Sequence, residues 1–214
     1  MQLAQRITRS LKKTSLLNVA KRIRSVYRIA AGYQSELWSR VVMNSETHRL
    51  VRELGPENLC AIEISGDGWS KEDFKSYRSV QYPEYDVCAG PIGDTFDLVI
   101  AEQVFEHVLW PYRAGRNVYV MLNPGGHFLI TVPFLVKIHG APVDCTRWTE
   151  TGLRYFLAEC GFPLETTRTG SWGNRRCIQA NYKEWKYFYR RLNSLENEPD
   201  FPFHVWALAR KPQD

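Results

Sequence analysis

Between Phe96 and Phe134 the chain reads FDLVIAEQVFEHVLWPYRAGRNVYVMLNPGGHFLITVPF, which is an apolar run, a polar loop, a stretch of helical periodicity, a turn and a second apolar run. Short apolar runs that do not alternate with polar residues predict strands buried on both faces, and a helix between them predicts a parallel pair. Leu59–Ser65 and Tyr77–Tyr82 read as two more strands, ended by Gly66-Asp67-Gly68 and by Pro83. Only Trp69–Ser76 separates them, room for a turn or two of helix and less than the usual crossover. Thr149 opens a helix whose Leu153, Phe156, Leu157 and Cys160 share one face and which Gly161 stops. A strand follows at Thr166–Ser171. Ile178, Tyr182, Trp185, Tyr189 and Leu192 mark a further helix face, with Arg190 and Arg191 near its C-terminal end, and Phe203–Ala209 closes the chain as a strand. This alternation predicts a single three-layer α/β domain. Sheets of that kind take ligands at the carboxyl ends of their strands, here Ala101–His107 and Pro133 onward.

Ahead of the strands, Ser35–Leu54 predicts a helix carrying Leu37, Trp38, Val41, Val42, Leu50 and Val51, halted by Gly55-Pro56. Earlier still, Leu16, Val19, Ala20, Ile23, Val26, Tyr27 and Ala30 recur at helical steps after Ser15, a suitable N-cap. Charge sharpens this picture. The net +5 of the 214-residue chain conceals a first stretch of 35 residues with eight basic and no acidic side chains, leaving −3 on the remainder. The expected organisation is a basic amphipathic helical segment, residues 1–54, followed by the α/β domain, residues 55–214. The basic helix fits an anionic membrane surface through residues 1–30, a nucleic acid, a partner or an organelle transit sequence. Its bland reading is a helix that docks its apolar stripe on the domain. Five cysteines, Cys60, Cys88, Cys145, Cys160 and Cys177, form no Cys-x-x-Cys pair, which disfavours a disulfide framework and a zinc site. A reducing cytoplasm is the expected home, with membrane association through the arm, and no run is long and apolar enough to span a bilayer.

Glu63-Ile64-Ser65-Gly66-Asp67-Gly68 resembles the first motif of class I S-adenosylmethionine-dependent methyltransferases, an acidic residue followed by a glycine-rich turn. Ser65 and Asp67 stand where glycines are usual. Phe96-Asp97-Leu98-Val99-Ile100-Ala101, Glu102-Gln103-Val104-Phe105-Glu106-His107-Val108 and Leu122-Asn123-Pro124-Gly125-Gly126 resemble, in order and spacing, the corresponding series of small type-11-like members. The likeness runs from about Leu59 to Arg210. It implies a Rossmann-like methyltransferase sheet, mostly parallel with an antiparallel last strand, and S-adenosylmethionine as cofactor. It also implies cofactor contacts at Glu63, Ser65, Gly66 and Gly68, a ribose contact at Gln81 in place of the usual acid with Glu84 nearby, adenine contacts at Asp86 and Val87, and the methionyl group beside Ala101, Glu102 and Gln103. Each segment also has a plainer reading, as a strand-ending turn or a solvated loop.

Past the apolar run that ends at Phe134, Pro133–His139 and Asp144-Cys145-Thr146-Arg147-Trp148-Thr149 resemble a His…Asp…Arg-aromatic-Thr segment of a methyltransferase subgroup. There His139 or Asp144 is a candidate base, Arg147 a candidate anion holder and Trp148 a candidate pocket wall. The alternative is an Asp144–Arg147 ion pair bracing the loop and a Trp148 buried in the core. His107 is read either as a base or as a structural or cofactor-orienting group. No metal is expected, since methyl transfer from a sulfonium asks mainly for alignment and exclusion of water. The implied reaction is methylation, O-methylation favoured, of a small-molecule or glycan acceptor, lipid-linked in the membrane version. A nucleic-acid methyltransferase and a non-catalytic cofactor-fold protein are the rivals. The first lacks a basic, aromatic-interleaved stripe at the ligand edge, and the second is motivated by Ser65, Asp67 and Gln81.

Overall fold

In the computed structural model, residues 2–140 and 142–214 are described, with side-chain surroundings from Leu17 onward. Helix α1 (Gln2–Ala31) runs straight through Ser15, so the helix begins well before the expected cap; the side chains of residues 1–16, Leu16 among them, lie outside the described ones. Most apolar side chains of its second half do not dock. Leu17, Val19, Ile23, Val26 and Ile29 are all more than half exposed. Only the C-terminal end is tied down, through Tyr27 against Tyr189, Arg28 over the Tyr33 ring and Arg191 Nη1 donating to the Ala30 carbonyl. Strand β1 (Tyr33–Leu37) and helix α2 (Val41–Arg52) occupy the stretch read as one helix from Ser35. Met43, Leu50 and Val51 on α2 are buried, packing beside Ala61, Leu98 and Trp206 in one core cluster.

The strands that follow are β2 (Cys60–Ile64), β3 (Ser76–Val80) and β4 (Phe96–Glu102), and helix α3 (Pro111–Met121) leads into β5 (Leu122–Pro133). Then come α4 (Glu150–Glu159), β6 (Thr167–Trp172), α5 (Arg175–Ala180), β7 (Tyr187–Tyr189) and β8 (His204–Arg210). Six strands form one sheet in the order β3-β2-β4-β5-β8-β6. The pairs β2–β3, β2–β4 and β4–β5 are parallel, and β8 is antiparallel to both β5 and β6. The last strand is thus inserted antiparallel, as the family resemblance implies.

Period-two burial explains the layers. Val99 and Ala101 on β4, Phe128, Ile130 and Val132 on β5, and Val205, Ala207 and Ala209 on β8 enter the cluster that holds Leu153, Phe156 and Leu157 of α4. Leu98, Ile100, Leu129, Trp206 and Leu208 face the other way, into the cluster beneath α2. With both faces covered, the strands read as continuous apolar runs. Between β2 and β3 there is no helix, and Trp69, 1% exposed, fills the space by stacking on His48 of α2 at 4.1 Å.

The helix expected over Ile178–Leu192 is a correction. Helix α5 stops at Ala180, where Asn181 turns back to donate to the Cys177 carbonyl. The chain then pairs Tyr187–Tyr189 antiparallel with β1, and Tyr33 packs against both Tyr187 and Tyr189 with ring centroids 5.5 and 5.4 Å apart. Arg190 accordingly continues a β-type contact, its N–H donating to the Gly32 carbonyl.

Two histidines are held neutral inside this framework. Burial, aided by the charge of Arg40, pushes His204 down to about 3, and burial with Arg210 nearby pushes His127 down to about 4. Below pH ~6.5 the unfolded chain binds protons that the native state refuses, so stability is full above that value and falls as pH drops toward 4. Urea unfolding at pH 6.5 and 5.0 measures this. The His204 contribution to the loss is on the order of 2 kcal/mol over that interval, and H204F is expected to show a shallower decline. An unchanged slope in the variant would place the proton uptake elsewhere.

Candidate active site

The strand order reverses between β2 and β4, so their carboxyl ends open a crevice there, the usual ligand position of such sheets. Glu63, 3% exposed, organises its floor. One carboxylate oxygen accepts from the Gly68 N–H at 3.2 Å, and the other accepts from the Trp69 N–H at 3.0 Å and from the Tyr77 hydroxyl. Burial and the Glu63 charge push the Tyr77 phenol well above its usual range, so it stays a donor. The turn these bonds hold is tight. Ser65 has φ +56°, a left-handed conformation that favours glycine, and a Cβ on Gly66 would collide with Glu63 Oε1. Ser79 Oγ and Gln81 Nε2 both donate to the Gly66 carbonyl, the latter at 3.1 Å.

Gln81, expected at the ribose, therefore spends its amide nitrogen on the turn and has its Oε1 left as an acceptor. Asp86 accepts from the Cys88 N–H at 2.8 Å through Oδ1 and is exposed. The Val87 carbonyl takes a bond from Asn117 Nδ2 at 2.7 Å, which fixes this short wall to α3. At the end of β4, Ala101 is fully buried and Gln103 has φ +56°. Gln103 is locked by its N–H to the Thr131 carbonyl at 3.0 Å and by Nε2 to Thr131 Oγ1 at 3.0 Å. Glu102 turns toward α2. It pairs with Arg40 Nη1 at 2.9 Å and accepts from Trp69 Nε1 at 3.2 Å, a cross-link that the sequence reading does not anticipate.

A second group assembles where the loop after β5 meets the turn after β4. The Glu106 carbonyl accepts from the Cys145 N–H at 2.7 Å and the Thr146 N–H at 3.3 Å, and this clamps the two segments together. The Glu106 side chain is wholly buried, and neither carboxylate oxygen has a hydrogen-bond partner; burial pushes its pKa up to about 7. His107 Nε2 lies 3.6 Å from Glu106 Oε1. Its Nδ1 faces the Val143 carbonyl, which can only accept, so Nδ1 carries a proton. His139 packs edge-to-face on His107, centroids 5.0 Å apart, and Trp185 packs edge-to-face on His139 at 6.0 Å. Burial, with the His107 charge assisting, holds His139 below the usual imidazole range.

Asp144, Arg147 and Trp148 take the bracing arrangement. The two Asp144 oxygens engage the Arg147 guanidinium, with Nη2–Oδ2 at 2.6 Å, and Oδ2 also accepts from the His139 N–H at 2.8 Å. Burial alone would raise the Asp144 pKa, but these donors outweigh it and hold the carboxyl below its usual range. A carboxylate so engaged is a poor base and a good splint for His139. Trp148 is 7% exposed and tilts on Phe156 at 5.2 Å, so it belongs to the core and the open aromatic wall beside His139 is Trp185. Glu106 was visible in the sequence as the neighbour of His107, but its burial was not.

These are the features of a class I S-adenosylmethionine-dependent methyltransferase. Residues 44–130 match a family profile described as a methyltransferase domain, which is consistent with this class. Its fold is shared with an S-adenosylmethionine-dependent methyltransferase from Archaeoglobus fulgidus at 14% identity and TM-score 0.50, covering 78% of this chain and 94% of that one. It is also shared with one from Listeria monocytogenes at 13% and 0.51, covering 79% and 99%. The Haemonchus contortus phosphoethanolamine N-methyltransferase 2, in complex with S-adenosylmethionine, gives 13% and 0.52, covering 79% of this chain and 53% of that one. No curated protein matches the chain by sequence.

The residues on the first edge fit this cofactor, because Glu63 holds Gly66 and Gly68 in a tight turn of small residues whose backbone a ligand can approach. S-adenosylmethionine supplies a methyl group activated on a sulfonium. Calorimetry with S-adenosylhomocysteine tests the division of the edge: G66A and E63Q should weaken binding about tenfold or more through the collapsed turn, and D144N should bind within about twofold of wild type. Equal losses in all three would contradict the separation.

Proposed function

We propose that the chain methylates a hydroxyl of a small-molecule or glycan acceptor. The observation that carries this reading is the convergence of His107 and His139 on the buried Glu106 at the second edge. His139 is held neutral, so a lone pair is present at neutral pH to assist removal of the acceptor proton. Asp144 and Arg147 hold the His139 backbone, and Trp185 offers an aromatic wall. Beside this edge lies an open groove of about 590 Å³ between Phe134–Lys137 and α5. Lys137 and Arg175 line it together with Val136, Tyr182 and Phe201, surroundings suited to an acceptor with an apolar or ring portion and an anionic group. Methyl transfer itself needs the two reactants in line and water excluded, which the clamp at Glu106 favours.

The exposed apolar residues of α1, together with its basic ones, support a peripheral contact with an anionic membrane and hence a lipid-linked acceptor. No described helix is long and apolar enough to cross a membrane. A nucleic-acid acceptor is the rival use of the same charge.

Two measurements test this. With methyl-labelled S-adenosylmethionine and fractionated cell extract, label should enter glycan, lipid or small molecules, and H139A should lower turnover about a hundredfold while sparing cofactor binding; label confined to RNA would contradict the reading. In flotation with vesicles containing anionic lipid, the intact chain should float and a chain lacking residues 1–30 should stay behind, the difference fading at high salt. Equal flotation of the two would remove the membrane role of α1.

A further inference from the structure

Glu106 poses a problem that the methyltransferase reading leaves unsolved. Its carboxylate is fully buried with both oxygens unpartnered, an arrangement that is costly unless a proton or a cation joins it. Hydrogen bonds from the protein do not supply the relief. The two guanidinium groups nearest in charge, Arg40 and Arg147, are already engaged by Glu102 and Asp144.

Around this carboxylate the donors form a recognisable set. One oxygen of Glu106, one ring nitrogen of His107 and one of His139 all lie within 4.8 Å of one another. In a tetrahedral site with bonds of ~2.05 Å, neighbouring ligand atoms sit roughly 3.3 Å apart. Glu106 Oε1 and His107 Nε2, at 3.6 Å, are within a few tenths of an ångström of that spacing, and His139 closes the remainder by turning its ring. His107 is also prepared as metal-bound imidazoles are: its other nitrogen donates to a backbone carbonyl, Val143, which fixes the tautomer that leaves Nε2 free. Asp144 accepts from the His139 backbone N–H and so holds the loop that carries this ring in place.

We infer that Glu106, His107 and His139 form a binding site for a divalent transition-metal cation at the acceptor edge of the crevice. Two imidazoles and one carboxylate suit Zn²⁺ first, with Mn²⁺ weaker and Mg²⁺ weaker still, because nitrogen donors discriminate in that order. Three protein ligands leave a coordination position open. This inference rests on the O-methylation reading and gives it a means: the cation withdraws charge from the acceptor hydroxyl, whose proton passes to water as the oxygen bonds to the methyl carbon and the carbon–sulfur bond breaks. The lone pair of His139 then acts on the cation instead of on the proton.

The experiment is calorimetric titration of the full chain, stripped with chelator, with ZnCl₂ and separately with MnCl₂, in parallel with S-adenosylhomocysteine binding. Wild type should take up one equivalent of Zn²⁺, more tightly than Mn²⁺. E106Q, which keeps the shape of the buried side chain, and H139A, on the loop, should each weaken Zn²⁺ by about a hundredfold while retaining nucleoside binding. Absence of saturable Zn²⁺ binding in a chain that binds S-adenosylhomocysteine would overturn the metal site and leave the methyltransferase reading standing. Unchanged Zn²⁺ affinity in both variants would overturn it equally, by placing the cation elsewhere. Loss of nucleoside binding in wild type itself would instead undermine the reading on which the site rests.

Discussion

The buried carboxylate of Glu63 is the constraint on which the rest of the crevice depends. A charged group at the end of a central strand is tolerable only when hydrogen-bonded, and here three donors meet it: two N–H groups of the following turn and the Tyr77 hydroxyl from the neighbouring strand. Those bonds bend the chain tightly enough that Ser65 sits at positive φ and Gly66 has no room for a Cβ. The same pull brings Trp69 under the sheet edge, where it replaces a crossover helix and passes a hydrogen bond to Glu102, linking the ends of β2 and β4.

A second carboxylate, Glu106, divides the edge in a different way. Its backbone carbonyl gathers the loop after β5, while its side chain stands unpartnered beneath two histidines. One edge of the crevice is therefore complete in its own hydrogen bonds, and the other has unused capacity. On the proposed reading, that asymmetry separates a cofactor floor from an acceptor apparatus in a chain whose overall fold is common to many chemistries.

How much of this the sequence shows follows from the range of the forces involved. The β4–α3–β5 unit is legible because burial on both faces writes unbroken apolar runs, and the Thr149 cap of α4 is legible because capping is local. The helical pattern over Ile178–Leu192 misleads for the opposite reason: Tyr182, Trp185 and Tyr189 recur at helical steps, but Tyr187–Tyr189 is held by pairing with β1, some 150 positions away in the chain. In the site, the acidic residue and glycines of the first motif were readable as a local turn. The Glu102–Arg40 pair, the unpartnered state of Glu106 and the exchange of wall between Trp148 and Trp185 were not, since each depends on which distant segment packs against which. The exposed stripe of α1 belongs with these, as an amphipathic pattern alone does not say what it meets.

The central claim is that the crevice has a cofactor edge at β2 and β4 and an acceptor edge at the loop after β5. A crystal structure of the full chain with S-adenosylhomocysteine tests it most directly. The account requires the adenine beside Asp86 and Val87, the ribose at the Gly66 turn within reach of Gln81, and the sulfur between Gln103 and the His107–His139 pair. A nucleoside seated away from the Gly66 turn, or with its sulfur directed away from those histidines, would contradict it.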